Sequence, residues 1–128
     1  MNSVSLFEAN HYRDFINAKI TTYFKVRGYR TRLAKAAGFS PSFLSQVMHE
    51  TVELTPEHAI RLAQFWEMNE NETEYFMLLV DHGRAGSITL RTHIKSRMEK
   101  MKSELSKNAY AVAQNSSIVF TQSLSAQA

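Results

Sequence analysis

The chain has 128 residues, 44% of them hydrophobic, with Lys and Arg totalling 15 against 12 acids for a net charge of +3. That is enough for one compact domain with a core, and it excludes a large multidomain enzyme. There is no cysteine, which excludes a disulfide framework, a thiolate zinc site, an iron–sulfur cluster and a cysteine nucleophile, and fits a reducing cytoplasm.

The opening Met1-Asn2-Ser3-Val4-Ser5-Leu6-Phe7-Glu8 lacks a basic start and an apolar stretch, so no leader is expected. Between Asn10 and Phe24 the apolar residues Tyr12, Phe15, Ile16, Ile20, Tyr23 and Phe24 recur at steps of three and four, which predicts a helix with Asn10 as its cap. Gly28 stops it, Thr31 caps a short second helix carrying Leu33, Ala34 and Ala37, and Gly38 ends that one. Ser40-Pro41 opens a third, running through Phe43, Leu44, Val47 and Met48. Thr55-Pro56 repeats the start signal ahead of Ala59, Ile60, Leu62, Ala63, Phe65 and Trp66. After a break at Asn69 to Asn71, Tyr75, Phe76, Leu78, Leu79 and Val80 predict a fifth helix ending near Gly83 and Gly86. A longer, more polar sixth follows Ser87. No window alternates with period two, so the fold class is all-α. The uncharged residues 108–128 predict a weakly ordered tail in which Ile118-Val119-Phe120 is apolar enough to dock.

Charge is segregated along this plan. Residues 11–35 hold seven bases and one acid, residues 50–81 eight acids and one base, and residues 82–107 seven bases and two acids. A basic end and an acidic end give a dipole that would orient the domain toward a polyanion.

Thr31 to Val47 has the grammar of a helix-turn-helix: Ala34 small at a helix crossing, Gly38 in the turn, Leu44 and Val47 on an inner face. The outer face is then Ser42, Ser45, Gln46 and His49. A glutamine amide can bond an adenine edge at N6 and N7, and serine serves any base, so these four are the candidates for base contacts in a major groove. Arg30, Thr31, Arg32, Lys35 and Ser40 are the candidates for phosphate contacts.

With Leu54-Thr55-Pro56 and Glu74-Tyr75-Phe76-Met77-Leu78-Leu79-Val80, these stretches resemble the Cro-type, lambda-repressor-like helix-turn-helix domain. The resemblance covers roughly residues 10–86. More narrowly, they are similar to a bacterial family of transcriptional regulators whose longer members carry an uncharacterised C-terminal domain, which the resemblance implies is not expected in this chain. The resemblance implies a compact bundle of about five helices whose second and third form the motif, bound to double-stranded DNA. This chain departs from the pattern after the recognition helix, Ser40–Met48. Where such domains have a glycine and then bases, it has His49-Glu50-Thr51-Val52-Glu53, which sets acids near the expected phosphates. The alternative is therefore a protein-interaction adaptor that reuses the fold.

The expected organisation is a helix-turn-helix domain over 1–86, a C-terminal helix over 87–107 and the tail over 108–128. On that helix Ile94, Met98, Met101 and Leu105 form a narrow seam, which fits either homodimerisation or packing back onto the domain. Histidines 11, 49, 58, 82 and 93 show no metal-ligand spacing, Asp81-His82 has no nucleophile elbow, and Gly83-Arg84-Ala85-Gly86 lacks the strands of an RNA-binding KH loop. No catalytic site, cofactor or metal is expected, and no run is long enough for a membrane span.

Overall fold

The computed structural model describes the backbone of residues 5–127 and the side chains of residues 5–108. The readings made on Met1–Val4 and on the side chains of Ile118-Val119-Phe120 fall outside these. Among the described residues the fold is all-α, as the periodicity predicts. A 3-10 turn at Leu6–Glu8 precedes α1 (Tyr12–Thr22), α2 (Tyr29–Ala37), α3 (Pro41–Met48), α4 (Pro56–Phe65), α5 (Glu70–Arg84) and α6 (Ile88–Gln127). The chain divides into two compact units, Met1–Met98 and Glu99–Ala128.

The starts of α3 to α6 follow from local chemistry. Ser40 Oγ accepts the Phe43 N–H at 3.1 Å, and Pro41 sits in the first turn. Thr55 Oγ1 accepts from His58 N while His58 Nδ1 accepts from Thr55 N, closing a reciprocal box. Asn69 and Glu72 make the same box at α5, and Ser87 Oγ accepts from Leu90 N at α6.

Four boundaries differ from expectation. His11, not Asn10, caps α1, its Nδ1 accepting from Arg13 N. Helix α1 stops at Thr22, whose hydroxyl donates back to the Ala18 carbonyl, so Tyr23 and Phe24 leave the helix and Phe24 is 71% exposed. Gly28, at φ 74°, turns the chain directly into α2 at Tyr29, so Thr31 lies inside that helix rather than capping it. Helix α6 also runs to Gln127 instead of giving way at Asn108; no glycine or proline occurs in that span to end it.

In the first unit α4 packs against both α2 and α5, and α2 against α3, while α1 touches α3 and α5. Leu33, Leu44, Leu54, Leu62, Phe76 and Leu79 are fully buried at the centre, each such side chain contributing about 2 kcal/mol. Phe15, Phe76 and Trp66 stack edge to face at one end, and Trp66 Nε1 donates to the Tyr29 hydroxyl at 2.9 Å. Ile94 and Met98 are also covered by their own chain, at 6% and 2% exposure. Of the two readings of the seam, packing back onto the domain fits these two residues. They are not free for a partner, and only Met101 and Leu105, half-buried in the second unit, remain partly accessible.

Candidate nucleic-acid interface

Helices α2 and α3 pack together across the three-residue turn Gly38-Phe39-Ser40. Gly38 takes φ 94°, which lets its N–H reach the Ala34 carbonyl and the Phe39 N–H bond the same oxygen at 3.0 Å. The rings of Phe39, Phe43 and His58 meet edge to face beneath the turn. Burial, reinforced by the Arg61 charge, holds His58 below its ordinary pKa, in keeping with an Nδ1 that must stay unprotonated to accept from Thr55.

Leu44 and Val47 bury the inner face of α3, and Ser42, Ser45, Gln46 and His49 share the outer one at steps of three, one and three. Ser42 and Gln46 are open to solvent, while Ser45 is half-buried with the Arg30 guanidinium 3.5 Å from its hydroxyl. His49 is exposed but its ring folds back, Nδ1 lying 2.7 Å from the Ser45 carbonyl. Only an N–H can bond a carbonyl, so Nδ1 carries the proton and Nε2 is the edge left to contact a ligand.

The five candidate phosphate residues are all exposed, but they do not form one group. Arg30 leans toward α3, and Thr31 and Lys35 lie one turn apart on the open side of α2. The Ser40 oxygen is committed as an acceptor to the α3 cap, leaving its hydrogen to donate. Arg32 is two residues, about 200°, around α2 from Arg30. It lines a separate hollow with Tyr29, Phe65, Trp66 and Glu67.

The end of α3 holds features that sequence reasoning caught only in part. Glu50 adopts φ 63°, with its N–H bonded to Val47 and the Thr51 N–H to Gln46, the helix end that glycine normally makes. Glu67 ends α4 in the same way at φ 54°. A side chain in this conformation costs about 1 kcal/mol, so Glu50→Gly should raise stability by about 0.5–1 kcal/mol in urea denaturation. An unchanged or lower midpoint would mean that the glutamate side chain compensates for its backbone.

Glu53 is not the free acid that its sequence neighbourhood suggests. Its carboxylate accepts from the Tyr12 hydroxyl at 2.6 Å and pairs with Arg13 at 3.2 Å. Burial alone would raise its pKa, but the Tyr12 and Arg13 bonds outweigh it and hold the group below its ordinary value. The Tyr12 hydroxyl, pushed up to about 12 by burial and by the Glu53 bond, also accepts from Leu54 N at 3.0 Å. Arg13 is 11% exposed along its side chain. It donates to the Val47 carbonyl at the end of α3 and to Val52 in the loop beyond, and packs 5.0 Å over the Tyr12 ring. Arg13 therefore positions α3 from α1. Its partner Glu53 lies 40 residues away along the chain, and nothing in the local pattern signals it.

Among the described residues no group of three His, Cys, Asp or Glu side chains could hold a metal ion, and no helix is long and apolar enough to cross a membrane. No family model, no curated protein and no solved structure matches this chain.

Proposed function

We propose that this chain is a cytoplasmic, non-catalytic transcriptional regulator whose first unit has the lambda-repressor-like arrangement and binds double-stranded DNA by laying α3 in the major groove. The observation that carries the reading is the outer face of α3. Ser42, Gln46 and the free edge of His49 stand exposed on a short helix whose other face is anchored by Leu44 and Val47, with Arg30 leaning on it from α2 and Thr31 and Lys35 exposed on that same helix. Polar side chains with both donors and acceptors, on a rigid helix flanked by cations, suit base edges bordered by phosphates. Neutralisation of Glu53 by Arg13 removes one of the two acids that would oppose such binding.

Selection from a randomised duplex pool at two salt concentrations tests the reading, and enrichment of one sequence motif is the expected result. Gln46→Ala should then weaken the best site by about 1–3 kcal/mol and relax preference at one base pair. Equal loss on selected and random DNA would remove Gln46 from base recognition. One observation favours the adaptor reading: Glu50 stays exposed at the end of α3 and joins none of the ion pairs among the described residues. Retention of no duplex even at low salt would select that reading.

A further inference from the structure

We infer that the corner between α5 and α6 binds a small phosphate monoester, its phosphate held by Arg91, Thr92, Lys95 and His82 and its organic group laid against Ile88. This goes beyond the DNA reading and does not depend on it.

At the start of α6, Ile88, Arg91, Thr92 and Lys95 follow one another at steps of three, one and three, so they share one face. That face and His82, from the last turn of α5, line an open hollow of about 290 Å³, near the lower end of the range for small-molecule sites. Arg91 and Lys95 can only donate hydrogen bonds, and the Thr92 hydroxyl can donate one. His82 Nδ1 is enclosed without a hydrogen-bond partner. A buried N–H without an acceptor is rarer than an unfilled acceptor, so the ring proton sits on Nε2 and His82 is a donor as well. No carboxylate lines the hollow; Asp81 and Glu99, the acids nearest in the chain, are not part of its wall. Arg91 is held in place by a bond from its guanidinium to the Ala85 carbonyl at 3.1 Å, in the turn between the two helices, which leaves its other N–H groups to serve a ligand.

Charge names the ligand. Arg91 and Lys95 stand one turn apart on α6 and repel each other. His82 feels both: burial, then the charges of Lys95, Arg91 and His11, hold it below its ordinary pKa. The ion pairs among the described residues, Arg13 with Glu53 and Arg61 with Glu57, leave Arg91 and Lys95 out. Positive charge and donors thus converge from two helices on a hollow whose wall carries no negative charge, and a bound dianion relieves that repulsion. A phosphate monoester has nearly two charges at neutral pH and three strong acceptor oxygens, which suits two cations and two neutral donors. The phosphodiester of a nucleic-acid backbone brings a single charge. Ile88, 76% exposed, gives the hollow an apolar side that a bare ion would leave in water and an organic substituent would cover.

Phenyl phosphate titrated into the whole chain without DNA, with the nuclear magnetic resonance signals of the His82 ring as the readout, tests this. Binding should move those signals and raise the pKa of His82, because the dianion favours the imidazolium against Arg91, Lys95 and His11. Inorganic phosphate should bind about threefold more weakly, lacking the ring that covers Ile88, and dimethyl phosphate, a monoanion, about tenfold more weakly. Lys95→Ala should cost about tenfold in affinity for phenyl phosphate at an unchanged melting temperature, since Lys95 is exposed. Arg97→Ala removes the same charge about 200° around α6 and should change affinity by less than about twofold. His82 signals that stay still at high millimolar phenyl phosphate would overturn the inference. So would equal losses from Lys95→Ala and Arg97→Ala, which would mean diffuse attraction to a basic helix, or dimethyl phosphate binding as tightly as phenyl phosphate. A DNA duplex that moves the His82 signals where phenyl phosphate does not would overturn it in favour of a backbone phosphate. The titrations without DNA can fail and leave the reading of α3 standing.

Discussion

Gly83→Ala should destabilise the fold by about 2 kcal/mol, although alanine in place of glycine inside a helix ordinarily adds up to about 1 kcal/mol. Gly83 lies in the last turn of α5, and a Cβ there would stand 2.7 and 2.8 Å from two carbons of the Tyr12 ring and 3.0 Å from His11 Nε2. That ring cannot retreat. It is fully buried, and its hydroxyl is held by Glu53 on one side and the Leu54 N–H on the other. Overpacking a rigid site costs about 1–3 kcal/mol, and tilting the ring also strains two hydrogen bonds worth about 1 kcal/mol each. The control is Gly86→Ala, where a Cβ would meet nothing within 4 Å. Thermal melts should place Gly83→Ala on the order of 5–10 °C below wild type and Gly86→Ala level with it. Equal melting of the two variants would show that α5 and α1 separate at no cost, and the close approach would carry no weight.

The same glycine shows where the sequence runs out. Read along the chain, Gly83 marks the end of α5, and the helix does end one residue on, at Arg84; what the sequence does not show is that Gly83 is small because a tyrosine from another helix needs the space. What could be read from sequence was local. Ser40-Pro41 and Thr55-Pro56 start helices because a hydroxyl and the N–H it satisfies lie three residues apart, and the outer face of α3 follows from the positions of Leu44 and Val47. Periodicity correctly names the faces of α1 but not its end, and Phe24, which falls on the apolar stripe by spacing, stands in solvent. It also cannot tell packing on a partner from packing at home, since either needs the same spacing. Ile94 and Met98 turn out to be covered by their own chain. The bonds of Tyr12 and Arg13 to Glu53 span 40 residues or more, a separation across which no local rule operates.

Arg13→Ala should have the largest effect of any single change outside the apolar core, about 3 kcal/mol. The guanidinium holds the Val47 and Val52 carbonyls and the Glu53 carboxylate together. Charge-assisted bonds of this sort contribute about 1.5–3 kcal/mol each when a partner is left unsatisfied. These contributions do not add in full, because water can resolvate the partly exposed carboxylate, and the total stays near about 3 kcal/mol, the lower end for breaking a buried pair. Lysine should rescue little, since a point charge cannot reach three acceptors set in a fork. Acid titration separates this role from simple packing. The folded Glu53 is held below its ordinary value of 4.5, so its contribution is complete above that pH and is lost as pH falls through the lower folded value. Without Arg13 the folded value moves back toward 4.5, so the variant should lose less stability than wild type on the acid side of that point. Parallel acid limbs in the two proteins would mean that Arg13 acts by packing on Tyr12 alone. Because the loop from His49 to Leu54 begins at the end of α3, a loosened loop should also weaken any ligand bound at Gln46. Its variant would then lose affinity with its stability, while Gln46→Ala loses affinity alone.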